Sequence, residues 1–440
     1  MTSREHESRA GAGTNRRWHA WRSRRKLLWL VAICLFIGAP AAAYRERMAV
    51  YDDVRMVEGF VSHYEAPKIA WVTAAPQDEG LSGQCVSDLF ASLKRRRSAT
   101  LILIRGGRIV SEWYNDVDGS DFRQANAAMA KGVVGSIALL TALTEGRLRL
   151  DDSAWHYIPA WRTDSIRSAI TIRDLASHRS GLADVDFFRG EDGDLAGWRA
   201  AYYAHPDQRF SMAIHRVPMI FEPGSHWQYS GIGYYALAYA ITASLQGGPE
   251  QDIPTLLEQR IMRPLGIPRS DWELSYGQTY HVDGMRLYAI GSGAAFAPRA
   301  EARIGELLLE GGRWNGRQLI DRRWIEDLLQ PPTVTRFVPD TSGARPVPAG
   351  GWYLNADHTW PALAPDAFAA IGTTDKVLLV VPSLDLVMLR TGGSLASPGE
   401  NLLTGLRDQL MDPLARCIVG PSQRMRDHTA PFVHLAVGPH

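Results

Sequence analysis

The stretch "AMAKGVVGSIALLTALTEGRLRLDD", residues 128–152, decides the fold. From Lys131 to Glu145 almost every position is apolar or small, so the pattern predicts a helix that is hydrophobic nearly all round and therefore buried. A chain of 440 residues is long enough to bury it. The residue that opens the helix is the anomaly. A lysine in the first turn of a buried helix is costly, because desolvation disfavours the ammonium and lowers its pKa. Either its stem snorkels to water or its amine is used as a proton acceptor.

Working outward, Leu81–Arg95 reads as a helix, with Val86, Leu89, Phe90 and Leu93 at spacings of three and four. Residues 99–104 and 108–114, joined by Gly106-Gly107, predict a β-hairpin. A second hairpin is expected near the other end, from residues 377–381 and 384–390 around Pro382-Ser383. Between the hairpins lie expected helices at 231–243 and 299–310, and a short one opened by a capping box, Thr171-Ile-Arg-Asp174, and ended by Ser180-Gly181. Residues 402–417 form a closing helix. The expected fold is α/β of the α+β kind, an antiparallel sheet built from both chain ends, flanked by helices, with a mainly helical lobe inserted.

The chain begins with a basic head, residues 1–26, followed by an apolar run at 27–44 with small residues at its exit. This is the pattern of a secretory leader, or, at 18 residues, of a short membrane anchor with its head held in the cytoplasm. Ser23-Arg-Arg-Lys-Leu-Leu28 also resembles a twin-arginine signal. Residues 45–80 read as a connector, 81–418 as the folded domain and 419–440 as a tail. Beyond residue 43 the chain holds 40 basic and 45 acidic residues, a net charge of about −5, which excludes a nucleic-acid-binding surface. Its two remaining cysteines, Cys85 and Cys417, are either separate buried thiols or a disulfide. Bringing the first and last helices together on one sheet face favours the disulfide.

Two short segments carry candidate chemistry. In serine acyl-enzymes of the S-x-x-K type the hydroxyl precedes the lysine by one turn, so that Nζ reaches Oγ. Here the tetrad is Ala128-Met129-Ala130-Lys131, with the lysine in place and a methyl where the hydroxyl belongs. The second segment is "EPGSHWQYSG", residues 222–231, which places Tyr229 at the mouth of a helix. Beside a lysine, its phenolate would be favoured and could serve as a base. The 13 histidines show no H-x-x-x-H or H-x-H spacing, and His178 and His226 read as structural. No metal or other cofactor is expected. Trp314, Trp352 and Trp360 are candidates to line a cleft or simply to pack.

Seven segments in order resemble the beta-lactamase-related serine hydrolases, the group that includes class C beta-lactamases, penicillin-binding carboxypeptidases, esterases and amide hydrolases. They are "LILIRGGRIVSEWY", "AMAKGVVGSIALLTALTEGRLRLDD", "ITIRDLASHRSGL", "EPGSHWQYSGIGYYAL", "MRPLGI", "GGRWNGRQLI" and "VLLVVPSLDLVMLRTGG", covering about residues 85–415. The resemblance implies an active site between two lobes, with the nucleophilic serine at Ala128, the lysine at Lys131 and the tyrosine at Tyr229. Gly231 stands where the family has an asparagine. The substrate-binding strand should fall at Gly372-Thr373-Thr374-Asp375, which lacks the usual lysine or histidine and the glycine pair. Without a nucleophile the lysine and tyrosine have nothing to activate. The expectation is therefore an exported, catalytically impaired homologue that binds a small-molecule or cell-envelope ligand of ester or amide type. Two alternatives stand beside it. One is an active hydrolase, through an introduced Ser-to-Ala change or a nucleophile relocated to Ser136, Ser230, Thr373 or Thr374; the other is a non-enzymatic envelope protein. No oligomeric state follows from the sequence.

Overall fold

The computed structural model describes residues 70–427 apart from 117–118, 186–196, 332–335, 338–346 and 398. The basic head and the leader or anchor at 27–44 lie outside the described residues. Helix α1 (Gly83–Arg95) is capped by the Ser82 side chain and leads into strands β1 (Ser98–Arg105) and β2 (Arg108–Tyr114). The C-terminal part supplies β3 (Val347–Ala349), β4 (Trp352–Leu354), β5 (Phe368–Gly372), β6 (Lys376–Val381) and β7 (Leu386–Gly392). They form one antiparallel sheet in the order β3-β4-β5-β6-β7-β1-β2, so the two chain ends meet where β7 pairs with β1.

The central strands read as unbroken apolar runs because both faces of the sheet are covered. Leu101, Leu103, Leu379, Val381 and Met388 point into one core, with α1 and the closing helix. Their neighbours Ile102, Ile104, Leu378, Val380 and Leu389 point into the other, with the buried central helix. This is the two-residue alternation of a strand with both of its sides apolar. The closing helical run spans 402–416, and Cys417 behind it is bonded to Cys85 of α1, with the Cα atoms 5.2 Å apart. That disulfide, together with Arg105, ties the ends of the domain. The buried guanidinium of Arg105 donates to the carbonyls of Leu384, Gly80 and Gly420.

Several expected boundaries shift. The helix at the capping box spans only Ile172–Ala176, because Ser177 already leaves helical geometry. The connector contains structured chain before residue 81, with Thr73 bridged to Ile109 and a single turn at Pro76–Glu79. The expected tail begins with a further helix, Gln423–Asp427, where Arg424 pairs with Asp385 and Glu310. The central run, Ala127–Thr144, is long and apolar enough to cross a membrane, yet 83% of it is buried in the domain, as a core helix must be.

Candidate active site

The central helix begins irregularly. Ala127–Met129 is a 3-10 turn, Lys131–Ser136 is a π-helix and Ile137–Thr144 is α-helical. Ala127 has φ = 49°, a left-handed conformation that costs a non-glycine residue free energy and persists only where the surroundings enforce it. The surroundings do so from several sides. The Asn126 N–H donates to Ala294 O at 2.8 Å, and Lys376 Nζ to Ala125 O at 2.6 Å. The Asn126 side-chain amide donates to the carboxyl group of Glu301, which burial pushes up to about 8. Gly372, at the end of β5, lies so close to this turn that a Cβ there would come within 2.4 Å of Asn126 O.

Beyond the turn, small residues let the walls close on the helix. A Cβ on Gly132 would come within 2.7 Å of Ala370 Cβ, and one on Gly135 within 2.8 Å of the Tyr234 ring. Lys131 is 5% exposed and donates to Tyr229 Oη at 2.6 Å and to Gly291 O at 2.8 Å. Burial pulls its pKa down to about 8, with the Asp184 carboxylate acting in the opposite direction. The faces of Tyr229 and Tyr234, 4.6 and 5.4 Å from Nζ, also favour the ammonium.

Tyr229 is held by His178, whose ring stacks on it at 4.8 Å and whose Nδ1 accepts the Ser230 N–H at 3.0 Å. Burial and the nearby Lys131 push His178 down to about 3, so it is a neutral support. Burial also raises Tyr229 well above its usual value, reinforced by Tyr353 and Asp184. The phenolate expected from its lysine neighbour is therefore disfavoured. Desolvation outweighs the single positive charge, and Tyr229 is a hydroxyl that accepts from Lys131.

Ala128, Lys131, His178 and Tyr229 line one cleft together with Gly351, Trp352, Tyr353 and Ile371. The remaining sequence candidates sit beside it in other roles. Ser230 caps helix Gly231–Ser244 through the Gly233 N–H, and the backbone N–H groups of Gly231 and Ile232 donate to Asp184. Thr373 and Thr374 form the exposed turn between β5 and β6 and are not among the lining residues. Ser136 is buried behind the cleft, accepting from Trp352 Nε1 at 3.0 Å and donating to Gly350 O. Of the three tryptophans, Trp352 lines the cleft, Trp360 is buried in the core on the opposite sheet face and Trp314 stacks with Arg303. Among the described residues no three His, Cys, Asp or Glu side chains converge to hold a metal.

A lysine on a buried helix, bonded to a tyrosine just ahead of the neighbouring helix Gly231–Ser244 and lining a cleft with residues of β4 and β5, accords with the family match. The Beta-lactamase profile matches residues 86–391, more than half of the chain. The chain belongs to the beta-lactamase family. Within the family it is 33% identical over 147 residues to a provisionally named D-alanyl-D-alanine carboxypeptidase of Escherichia coli (strain K12), covering 32% of each chain. It thus spans about a third of that relative's length. A family VIII carboxylesterase superposes with a TM-score of 0.57 at 18% identity, covering 79% of this chain and 99% of that one. A penicillin-binding protein homologue from Caulobacter crescentus gives 0.56 at 15% identity, covering 74% and 93%. At these identities the likeness is one of fold. Against the beta-lactamase fold, Asp184, Gly291, Gly351 and Tyr353 are site residues that sequence reading missed. Only Asp184 had a signal, as an acidic residue just past "ITIRDLASHRSGL".

Proposed function

We propose that this protein is an exported member of the beta-lactamase family that has lost serine acylation and uses its cleft to bind an envelope-derived or ester/amide-type ligand without turnover. One observation carries the reading. The proton acceptor and its tyrosine are assembled, with Nζ 2.6 Å from Tyr229 Oη, while the position one turn before Lys131 is a methyl. A positioned base without a nucleophile performs no acyl transfer. Of the alternative hydroxyls, Ser136 is committed to Gly350 and Trp352 and Ser230 to its helix cap, while Thr373 and Thr374 lie outside the cleft lining. Export is supported by the apolar segment at 27–44 and by the Cys85–Cys417 disulfide, a bond of oxidising compartments. The same apolar segment is the means of membrane attachment in this reading.

Labelling of the full chain with a fluorescent fluorophosphonate and a fluorescent penicillin tests the reading. The unmodified protein should stay unlabelled, and Ala128→Ser should acquire a covalent label on the introduced hydroxyl. Labelling of the unmodified protein would sink the proposal, since it would require a nucleophile elsewhere. No labelling of a folded Ala128→Ser would show that the cleft no longer accepts acyl ligands.

A further inference from the structure

We propose that Lys131 is itself the nucleophile of this cleft and that the cleft captures aldehyde-bearing molecules as imines on Lys131 Nζ. The inference deepens the reading above and rests on it, because it requires a cleft in which no serine competes for the electrophile.

The geometry carries the argument. Lys131 and Ala128 both line the cleft, so its wall offers an amine where Ala128 contributes only a methyl. Its hydrogen-bond partners are a carbonyl and a phenol, Gly291 O and Tyr229 Oη, and among the described residues no carboxylate forms a salt bridge with it. The groups facing it are Tyr229, Tyr234, Tyr353, His178 and Asp184, of which Asp184 is the one carboxyl group; burial raises its own pKa, opposed by the Gly231 and Ile232 N–H groups and by Lys131. Burial holds the ammonium down to about 8, so at pH 7 the neutral fraction is roughly 200-fold that of an ordinary lysine. A desolvated lysine of this kind is a recognised way of activating an amine towards carbonyl carbon. Tyr229, kept protonated, stands at hydrogen-bond distance as the proton donor.

The step balances without an external reagent. The Nζ lone pair attacks the carbonyl carbon, the π pair moves to oxygen, and that oxygen takes the Tyr229 proton, which nitrogen then returns. The C–O bond breaks as C=N forms. Both amine protons leave on the oxygen as water, and nothing is oxidised or reduced.

The composition makes the test clean, because the chain has five lysines, Lys26, Lys68, Lys94, Lys131 and Lys376. The full chain in detergent is incubated with butanal and sodium cyanoborohydride, and butylation of each lysine is timed by peptide mass spectrometry. Lys131 should react at least about tenfold faster than the exposed Lys94 at pH 7, with a rate that levels off above pH of about 8. No adduct at Lys131, or one formed no faster than at Lys94, overturns the proposal. Lys131→Arg should abolish the fast adduct, and because that variant can fail to fold, a second arm blocks the cleft instead. In Ala128→Ser pre-labelled with fluorophosphonate, butylation of Lys131 should fall while that of Lys94 is unchanged; undiminished butylation of Lys131 counts against capture in the cleft. If Ala128→Ser takes no label, the acyl-ligand reading fails, and the unmodified protein still decides the lysine chemistry.

Discussion

Two sets of residues at and beside the cleft differ in what they do for the fold. In one set, Lys131, His178 and Asp184 are hydrogen-bonded to backbone and Tyr229 to Lys131. Lys131 holds Gly291 O, His178 holds the Ser230 N–H, and Asp184 accepts from the first turn of a core helix. In the other, Ala128 projects only a methyl, and the Thr373–Thr374 turn, outside the cleft lining, is solvent-exposed. A group that also satisfies buried backbone is expensive to lose, because its removal leaves polar atoms unpaired at about 1–3 kcal/mol each. A nucleophilic hydroxyl that points into a cleft supports nothing else, so replacing it with a methyl leaves the architecture intact. The molecule thus ties Lys131, His178 and Asp184 into its backbone and carries at residue 128 a methyl that bonds to nothing.

This contrast can be broken by experiment, starting where the largest effect is expected. Gly351 has φ = 87°, and a Cβ there would come within 2.6 Å of Lys131 O and 2.7 Å of Tyr234 Oη. Gly351→Val should therefore cost about 3 kcal/mol or more in urea unfolding, through strain and overpacking on the wall. A cost below about 1 kcal/mol would mean that the wall yields and is no structural element.

The next effect is one of pH. Glu301 titrates near 8 in the fold, against an ordinary carboxyl value of 4.5, so between those limits the folded state holds the extra proton. Stability should fall as pH rises through that window, by on the order of 5 kcal/mol from this residue. Glu301→Gln should flatten much of the fall, leaving a share from Glu306, which burial raises to about 7. Denaturation midpoints from pH 4 to 9 would show it, and a profile unchanged by the substitution would dissociate Glu301 from the support of the Asn126 turn.

Smaller again is Asp184→Asn. It should cost about 1 kcal/mol as a weakened helix cap, and it should move the Lys131 pKa further below 8, since the carboxylate is what raises it. NMR of the reductively methylated amine reads that shift, and a rise would contradict the geometry. The smallest effects belong to the second set. Ala128→Ser and Thr373→Ala should each change stability by less than about 0.5 kcal/mol, as measured by thermal unfolding.

Much of the architecture was legible in local pattern. The all-apolar run after Lys131, the two hairpins and the Thr171–Asp174 capping box each follow from interactions between residues close in sequence. The pairing of the chain ends was also anticipated, because strands lacking neighbours in sequence must find them elsewhere. Helix ends and the supposed tail were less legible. Ser177 breaks the helix through its backbone, and the helix at 423–427 depends on Arg424 reaching Asp385 and Glu310.

By itself the sequence determined that a methyl precedes Lys131 by three positions, since the identity of residue 128 and its spacing from Lys131 are covalent facts that no packing alters. It also determined the family, through motifs in fixed order. Only the tertiary structure decided the electrical state of the residues that remain. Whether Tyr229 is a phenolate or a phenol, and whether Lys131 is an ordinary ammonium or an amine poised near neutrality, depends on desolvation by Tyr234, Trp352, Tyr353 and Gly351. Those residues lie scores of positions away in the chain. Burial is a sum over neighbours in space, and the order of residues does not contain it until the chain has folded.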